Sequence, residues 1–354
     1  NRAHFSSSSP LKLAKFFKTN PVELAKDISE KINHKAISKS SVEGAGFINI
    51  FINKNYISDE VEKVLKYNEE WGKKKLKKER VLVEFVSSNP TGPLHIGHAR
   101  GAVLGNIISN LLSNQGYEVT KEYYVNDAGR QINILALSIM LETFQNNINK
   151  EGLYQGDYIK DLAKKFMAAK LVNEVNNPLE KFSDDPDERI DQLISHYKKD
   201  SPETWNLIRD FSVNEMIKLI KDDLSRMEIL HDEWFYESSL GSIEKKDSSV
   251  AKALDEIVKS KNTFEKDGAI WFEGTKHGDD KDRVLLRANK EPTYYLTDIG
   301  YHKDKIDRNF DHYINIFGAD HHGYIPRLTA AFDVLKKEHQ NIEFLLYQLV
   351  NLYE

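Results

Sequence analysis

Hydrophobic residues change their spacing along the chain, and each spacing predicts a different element. Residues 81–86 form a nearly continuous apolar run, which is typical of a strand buried on both faces. Beyond it, apolar residues recur every four positions in two adjacent ridges. This predicts a helix from near Ala99 that packs on a sheet: Val103, Ile107 and Leu111, with Leu104, Ile108 and Leu112. Gly116 is expected to end this helix, and residues 118–125 to form the next strand.

Strand-like segments return near the end of the chain, after a long stretch with a helical pattern. Residues 141–282 predict long polar helices, and a last apolar segment starts at Ile342. Between them, short apolar runs predict strands at residues 283–287, 293–296 and 312–317. This order predicts an α/β fold, a split Rossmann-type parallel-sheet domain with a helical insertion. Its halves are residues 81–140 and 283–354, and its insertion is residues 141–282.

Residues 1–72 predict a small α+β domain in front of the sheet. Residues 20–23 are Asn-Pro-Val-Glu, which is a helix start with an N-cap, a proline at the first position and an acidic third residue. Residues 46–53 are strand-like in composition, and Ser58 is expected to cap a further helix. Residues 73–80 are a basic run that we interpret as a solvated linker. The alternative is a patch that meets RNA phosphates, which would make RNA binding depend on salt.

Composition excludes several classes of protein. The 354 residues are 40% hydrophobic and carry a net charge of −5. This describes a globular protein whose RNA contacts, if any, must be local. The absence of cysteine excludes disulfides and thiolate zinc sites. There is no signal peptide and no run of about 18 apolar residues, so we expect a cytoplasmic location without membrane contact. Because the chain starts at Asn1 and stops inside an apolar segment, we expect a fragment of a longer protein.

The candidate chemistry lies in the loop between the apolar run and the first predicted helix. This histidine loop is Ser88, Asn89, Pro90, Thr91, Gly92, Pro93, Leu94, His95, Ile96, Gly97 and His98. Gly97 lets a ligand approach the backbone, and the positive end of the following helix favours an anion. His95 and His98 can donate hydrogen bonds to phosphoryl oxygens as charge develops there. The alternatives are a metal-binding pair, or ordinary surface histidines on a turn.

Polar residues also follow other predicted strands, at the edge where ligands bind in open α/β sheets. Residues 126–131 follow the second strand, Asp298 follows the predicted strand 293–296, and residues 318–323 follow the strand 312–317. Glu84 lies within the first strand. Asp298 could also serve as a helix N-cap, and the two roles are compatible.

Five separated segments resemble bacterial arginyl-tRNA synthetases, which belong to class I of the aminoacyl-tRNA synthetases. They are residues 83–85 with the histidine loop, 125–132, 282–285, 292–298 and 318–323. The resemblance covers nearly the whole chain. It implies that arginine, ATP with Mg²⁺ and tRNA(Arg) give arginyl-tRNA, AMP and pyrophosphate. It also implies that residues 1–72 contact tRNA, and we expect the protein to be a monomer.

The resemblance implies a role for each matching site residue. His95 and His98 would be catalytic. The arginine-binding residues would be Glu84, Asn89, His95, Tyr294 and Asp298, and the ATP-binding residues His95, Gly97, His98, Gly318, Asp320 and His322. Independently, guanidinium is a planar cation with five donors, which suits two carboxylates and an aromatic side chain.

The chain departs from the family in one respect. The lysine-rich catalytic loop and the anticodon-binding domain that the resemblance implies do not occur in the 354 residues, and we expect them after Glu354. We therefore expect this chain to be inactive by itself. Two other functions stay open. One is a small-molecule nucleotidylyltransferase, which the size of residues 141–282 disfavours. The other is a non-catalytic RNA-binding relative, which the complete set of pocket residues disfavours.

Overall fold

The computed structural model describes residues 3–144, 148–169, 175, 182–348 and 350. The chain divides into two compact units, Asn1–Lys73 and Lys74–Glu354. Among the described helices, none is long and apolar enough to cross a membrane.

The first unit combines a three-stranded antiparallel sheet with helices, as the sequence predicts. Asn20 caps the second helix, because its Oδ1 accepts the N–H groups of Val22 at 2.8 Å and Glu23 at 3.4 Å. The third helix begins earlier than predicted, so the predicted cap at Ser58 is wrong and Asn53 is the N-cap. The elements are β1 (Phe5–Ser7), α1 (Ser9–Phe17), α2 (Pro21–Lys31), β2 (Ile37–Glu43), β3 (Phe47–Ile52) and α3 (Lys54–Tyr67).

The second unit contains a five-stranded sheet, a small antiparallel sheet and helices around both. Its strands are β4 (Arg80–Phe85), β5 (Glu118–Val125), β6 (Glu233–Tyr236), β7 (Thr263–Lys266), β8 (Ala269–Phe272), β9 (Arg283–Leu286), β10 (His312–Gly318) and β11 (Asn341–Tyr347). Its helices are α4 (Ile96–Asn114), α5 (Gly129–Thr143), α6 (Asp157–Ala168), α7 (Pro186–Asp200), α8 (Pro202–Arg226), α9 (Ser249–Lys259), α10 (Tyr294–Asp307) and α11 (Ile325–Leu335).

The five-stranded sheet is parallel throughout, with the strand order β11-β10-β4-β5-β6. The chain leaves the central strand β4 toward β5 and β6, and later returns to the other side of β4 as β10 and β11. The predicted split α/β sheet is therefore confirmed, and the change of direction falls between β4 and β10. Parallel sheets of this kind open a ligand crevice at the carboxyl ends of such neighbouring strands.

The segment predicted as a helical insertion, residues 141–282, contains the end of α5 and all of α6, α7 and α8. It also supplies a strand to the main sheet. Strand β6 pairs with β5 from Glu122↔Glu233 to Val125↔Tyr236. The insertion helices have a core of their own, in which Phe166, Tyr197 and Trp205 are buried. The helices that share this core therefore end before β6, and the remainder of the predicted insertion contains β6, α9, β7 and β8.

The prediction of a strand at residues 293–296 is wrong, because these residues start α10. Thr293 is the N-cap, and its Oγ1 accepts the N–H of Leu296 at 3.3 Å. A short apolar run cannot be distinguished from a buried helical turn by its periodicity, and Thr is a favoured cap. As a result, Asp298 lies in the second turn of a helix and does not follow the end of a strand.

Candidate active site

A cleft of about 550 Å³ opens at the carboxyl ends of β4 and β10. Its lining comes from the end of β4, the histidine loop, the end of β5, one face of α10, the end of β10 with the segment after it, and single residues of α11 and β11. This is the edge of the sheet at which the sequence predicts ligand binding.

The histidine loop ends in a cap that fixes both imidazole rings. Helix α4 begins at Ile96, slightly earlier than predicted, and His95 is its N-cap. The His95 Nδ1 accepts the Gly97 N–H at 3.1 Å, and the His98 Nδ1 accepts the His95 N–H at 3.3 Å. Since both Nδ1 atoms accept, the proton of each neutral ring lies on Nε2. Each Nε2 is then a donor and cannot ligate a metal, which favours hydrogen bonding to an anion over the metal-binding alternative.

The two rings stack, with centroids 3.7 Å apart. Burial lowers the pKa of His98, and the neighbouring charge of His95 lowers it further. A Cβ at Gly97 would lie 2.9 Å from the His95 Cε1, so glycine is needed at this position to keep the ring in place. The loop therefore presents two neutral N–H donors beside the helix N-terminus.

Strained backbone follows β4 at the mouth of the cleft. Val86 and Ser87 have φ angles of 70° and 42°, in the left-handed region that a β-branched residue such as valine rarely adopts. Ser87 uses this conformation to bridge two strands. Its Oγ donates to Glu84 Oε1 at 3.0 Å and accepts the Tyr124 N–H at 3.1 Å. The turn thereby fixes one oxygen of the Glu84 carboxylate.

Asp298 supplies a second carboxylate to the cleft. Within the described residues, no hydrogen bond or ion pair engages this side chain, although it faces Glu84 and Arg327 closely enough to feel their charges. Burial raises the pKa of Asp298 to about 7, Arg327 opposes the shift, and Glu237 and Glu84 add to it. Such an unpaired, half-buried carboxylate is a site for a cationic group, because a cation would remove the penalty of its ionisation.

Most predicted site residues meet in this cleft. The lining includes Glu84, Ser88, Asn89, Thr91, His95, Gly97, His98, Asp298, Gly318 and Asp320. Asn89 is held in place, since its Nδ2 donates to Gln131 Oε1 at 2.6 Å. The remaining loop residues, Pro90, Gly92, Pro93, Leu94 and Ile96, do not line the cleft.

Two residues with predicted ligand roles do not line the cleft. The side chain of Tyr294 is 78% exposed at the start of α10. His322 is also absent from the lining of the cleft, whereas its neighbour His321 is part of that lining. Their predicted roles stay predictions, and this arrangement does not bring them to Glu84 and Asp298.

Other side chains in the cleft were not predicted. Tyr124 lines it from the end of β5, and Tyr301 and His302 line it from α10. Lys305 lies behind Glu84, from which its Nζ is 2.5 Å away. Residues 298, 301, 302 and 305 have helical spacing, so a helical interpretation of residues 294–307 would have identified this face.

Comparisons with known families agree with this arrangement. A parallel sheet with a capped histidine loop at its carboxyl edge is an arrangement found in class I aminoacyl-tRNA synthetases. The family described as "tRNA synthetases class I (R), catalytic domain" matches residues 60–343, which shows this class. The "Arginyl tRNA synthetase N terminal domain" matches residues 1–52. The chain belongs to the arginyl-tRNA synthetase family.

Individual relatives are named arginine–tRNA ligase. An arginine–tRNA ligase of Psychrobacter is 38% identical over 99% of this chain and 61% of its own length. That of Bacillus subtilis is 37% identical over 99% of this chain and 60% of its own length. The chain thus spans about 60% of the length of these relatives.

Solved structures share the fold. A provisionally assigned arginyl-tRNA synthetase of Campylobacter jejuni is 36% identical, with a TM-score of 0.67 over 84% of this chain and 61% of its own. The arginyl-tRNA synthetase of Thermus thermophilus is 19% identical, with a TM-score of 0.64 over 96% of this chain and 59% of its own, which is a likeness of fold alone.

Proposed function

We propose that the protein with its complete reading frame is an ATP-dependent arginine–tRNA ligase. In the first step, the arginine carboxylate attacks the α-phosphorus of ATP to give arginyl-AMP and pyrophosphate. In the second, a ribose hydroxyl at the 3′ end of tRNA(Arg) attacks the activated carbonyl and releases AMP. The family and the arginine–tRNA ligase names of the relatives support this proposal.

The nucleotide half of the cleft suits the first step. His95 and His98 would donate Nε2–H hydrogen bonds to phosphoryl oxygens, where negative charge increases as the α-phosphorus is attacked. Gly97 leaves room for the phosphates beside the N-terminus of α4, and Gly318 and Asp320 would lie on the opposite side of the ATP. Mg²⁺ would enter with the ATP phosphates as part of the substrate.

The observation that carries the proposal is the unpaired Asp298 carboxylate in the same cleft as the stacked histidines. A site for phosphates alone has no need of an unpaired carboxylate, which would repel them. A substrate that is cationic at one end and reacts with ATP at the other accounts for both features. Arginine has this character, since its guanidinium binds carboxylates and its α-carboxylate is the nucleophile.

Transfer to tRNA would draw on the first unit. We propose that residues 1–72 contact tRNA(Arg), in keeping with the match of residues 1–52 to the family's N-terminal domain. That the 354 residues alone do not activate arginine stays a prediction. Pyrophosphate exchange by this chain tests it.

The function is tested by ATP–pyrophosphate exchange and by aminoacylation of tRNA(Arg), with the protein expressed from its complete reading frame. We expect exchange or aminoacylation with arginine, and neither with lysine or with citrulline, which has nearly the shape of arginine but no charge. Exchange that proceeds equally well with citrulline would exclude a charge-reading pocket. Exchange with a different acceptor and not with arginine would favour a nucleotidylyltransferase.

A further inference from the structure

Glu84 already has a cationic partner within the protein. The Nζ of Lys305 lies 2.5 Å from Glu84 Oε2, and the two side chains are only 0% and 5% exposed. A pocket for a cationic substrate is not expected to hold its own cation against the same carboxylate. The two cations would repel each other and compete for the carboxylate.

Lys305 is fixed from several sides. Its Nζ donates to Asn315 Oδ1 at 2.7 Å and lies 4.3 Å from the centroid of the Tyr301 ring. Sheet register explains this convergence, because Glu84 on β4 is opposite Glu122 on β5 and opposite Asn315 on β10. The three strands thus present one row of polar side chains under α10, and the ammonium of Lys305 fills the space above that row.

A second buried ion pair closes the row on the side of β5. Glu122 is fully buried, pairs with Arg308 and accepts the hydroxyl of Tyr301 at 2.6 Å. Its Oε1 lies 4.0 Å from the Nζ of Lys305. Glu122 has its own closer cation in Arg308, so the hydrogen bonds of the Lys305 ammonium go to Glu84 and Asn315.

We propose that Lys305 is a positioning residue that holds Glu84 as an oriented hydrogen-bond acceptor and leaves Asp298 as the counter-charge of the substrate guanidinium. Ser87 fixes one Glu84 oxygen and Lys305 the other. The Glu84–Lys305 pair is neutral as a whole, so of these two carboxylates only Asp298 offers an uncompensated negative charge to a positive substrate group. Glu84 then contributes geometry more than charge. This inference rests on the proposed arginine site.

Lys303 is a matched control for a purely structural role. It lies two residues from Lys305 on α10, and its side chain is 6% exposed. It is ion-paired to Glu256 at 3.0 Å and to Asp307. It does not line the cleft. Loss of either lysine removes buried ion pairs from the same helix, but only Lys305 touches Glu84.

The test is the Michaelis constants for arginine and ATP in Lys305→Met, Lys305→Arg and Lys303→Met, with the complete reading frame expressed. We expect Lys305→Met to raise the arginine KM about tenfold or more and to leave the ATP KM within about twofold. Lys303→Met should leave both within about twofold. Adding Glu84→Gln to Lys305→Met should raise the arginine KM little further, since both act through one carboxylate.

Lys305→Arg keeps the test valid if Lys305→Met does not fold. It retains the charge, but its planar fork cannot occupy the place of an ammonium, so the arginine KM should rise about threefold at an unchanged melting temperature. An unchanged arginine KM in the folded Lys305 variants would overturn this inference and leave the proposed function intact. The same holds if Lys303→Met raises the arginine KM as much as Lys305→Met does, or if Glu84→Gln multiplies the rise in arginine KM caused by Lys305→Met. If the unsubstituted protein neither binds nor uses arginine, the proposed function falls, and this inference with it.

Discussion

The imidazole rings of His95 and His98 stack, with 3.7 Å between their centroids and 20° between their planes. Two stacked imidazolium ions would repel each other, so the arrangement favours neutral rings, in line with the lowered pKa of His98. Neutral rings whose Nδ1 atoms accept backbone hydrogen bonds must donate through Nε2. The pair is therefore suited to stabilise developing negative charge without carrying a permanent positive charge.

We expect His98→Ala to lower the rate of arginine activation by roughly a hundredfold or more, because it removes a donor that acts mainly in the transition state. ATP affinity should fall much less. Pre-steady-state formation of arginyl-AMP, compared with ATP binding by calorimetry, separates the two effects. His339→Ala, at an exposed position outside the cleft, is the control. Weaker ATP binding at an unchanged activation rate would contradict this role.

Asp298→Asn should weaken arginine binding by about 1.5–3 kcal/mol, the contribution of a charge-assisted hydrogen bond. The amide keeps the shape of the carboxylate but loses its charge. The difference in binding free energy between arginine and citrulline should therefore shrink by about the same amount as arginine binding weakens. Competition calorimetry with both ligands measures this. Asp307→Asn, at the other end of α10, serves as the control and should leave the discrimination intact. An undiminished preference for arginine over citrulline in Asp298→Asn would mean that another residue supplies the counter-charge.

The raised pKa of Asp298 predicts two opposite responses to pH. Without arginine, the native carboxyl keeps its proton up to about pH 7, whereas the unfolded one releases it near its ordinary value of 3.8. The native state therefore binds more protons in this window, and the free energy of unfolding should fall as pH rises through it. Arginine binds the ionised form, so its affinity should increase as pH rises from about 6 to about 8. Denaturant unfolding measures the first response between about pH 4 and pH 7, and calorimetry measures arginine affinity between about pH 6 and pH 8. Asp298→Asn should flatten the pH dependence of the unfolding free energy and that of the arginine affinity.

Gly105→Ala should destabilise the second unit, although alanine is the better helix former. A Cβ at this position of α4 would lie 2.2 Å from the Phe85 Cγ, so helix and strand would have to separate. We expect this overpacking, about 1–3 kcal/mol, to outweigh the gain of up to about 1 kcal/mol from helix propensity. Denaturant unfolding tests it, and Gly323→Ala, whose Cβ would meet nothing within 4 Å, is the control. A stabilised Gly105→Ala variant would mean that α4 is less tightly packed on β4.

The basic run gives a prediction about tRNA. Lys73 pairs with Glu70, and the Nζ of Lys77 lies 3.6 Å from the centroid of the Tyr117 ring, so these two lysines have partners within the protein. Lys74, Lys75 and Lys78 are exposed. If they meet phosphates, replacing all three by Gln should raise the tRNA KM and flatten its dependence on salt, by roughly 0.7–0.9 logarithmic units per lost contact.

Deletion of residues 1–72 is the companion experiment, and it should raise the tRNA KM while arginine affinity stays nearly constant. An unchanged tRNA KM and salt slope in the triple Gln variant would assign residues 73–80 to a solvated linker. An unchanged tRNA KM in the deletion would leave the first unit without a part in tRNA binding.

Elements whose stabilising contacts are local could be predicted from the sequence. The Asn20 cap of α2 depends on N–H groups within three residues, and the loop from Ser88 to His98 brings its own turn residues and histidines. The buried strand β4 could be predicted from the sequence because residues on both of its faces are apolar. The histidine loop of the candidate site could therefore be predicted, since all of its residues lie in one continuous segment.

The acidic half of the cleft depended on tertiary structure. The apolar run at residues 293–296 fits a strand or a helix equally well, and only burial against the sheet selects the helix that aligns Asp298 with Lys305. Glu84 meets Asn315 because β4 and β10 pair in one register across more than 200 residues of chain. Motifs therefore indicated two carboxylates, Glu84 and Asp298, that the structure brings into one cleft. Long-range strand pairing decided which of them already has a cation, because the energy of a buried charge depends on neighbours that are remote in sequence.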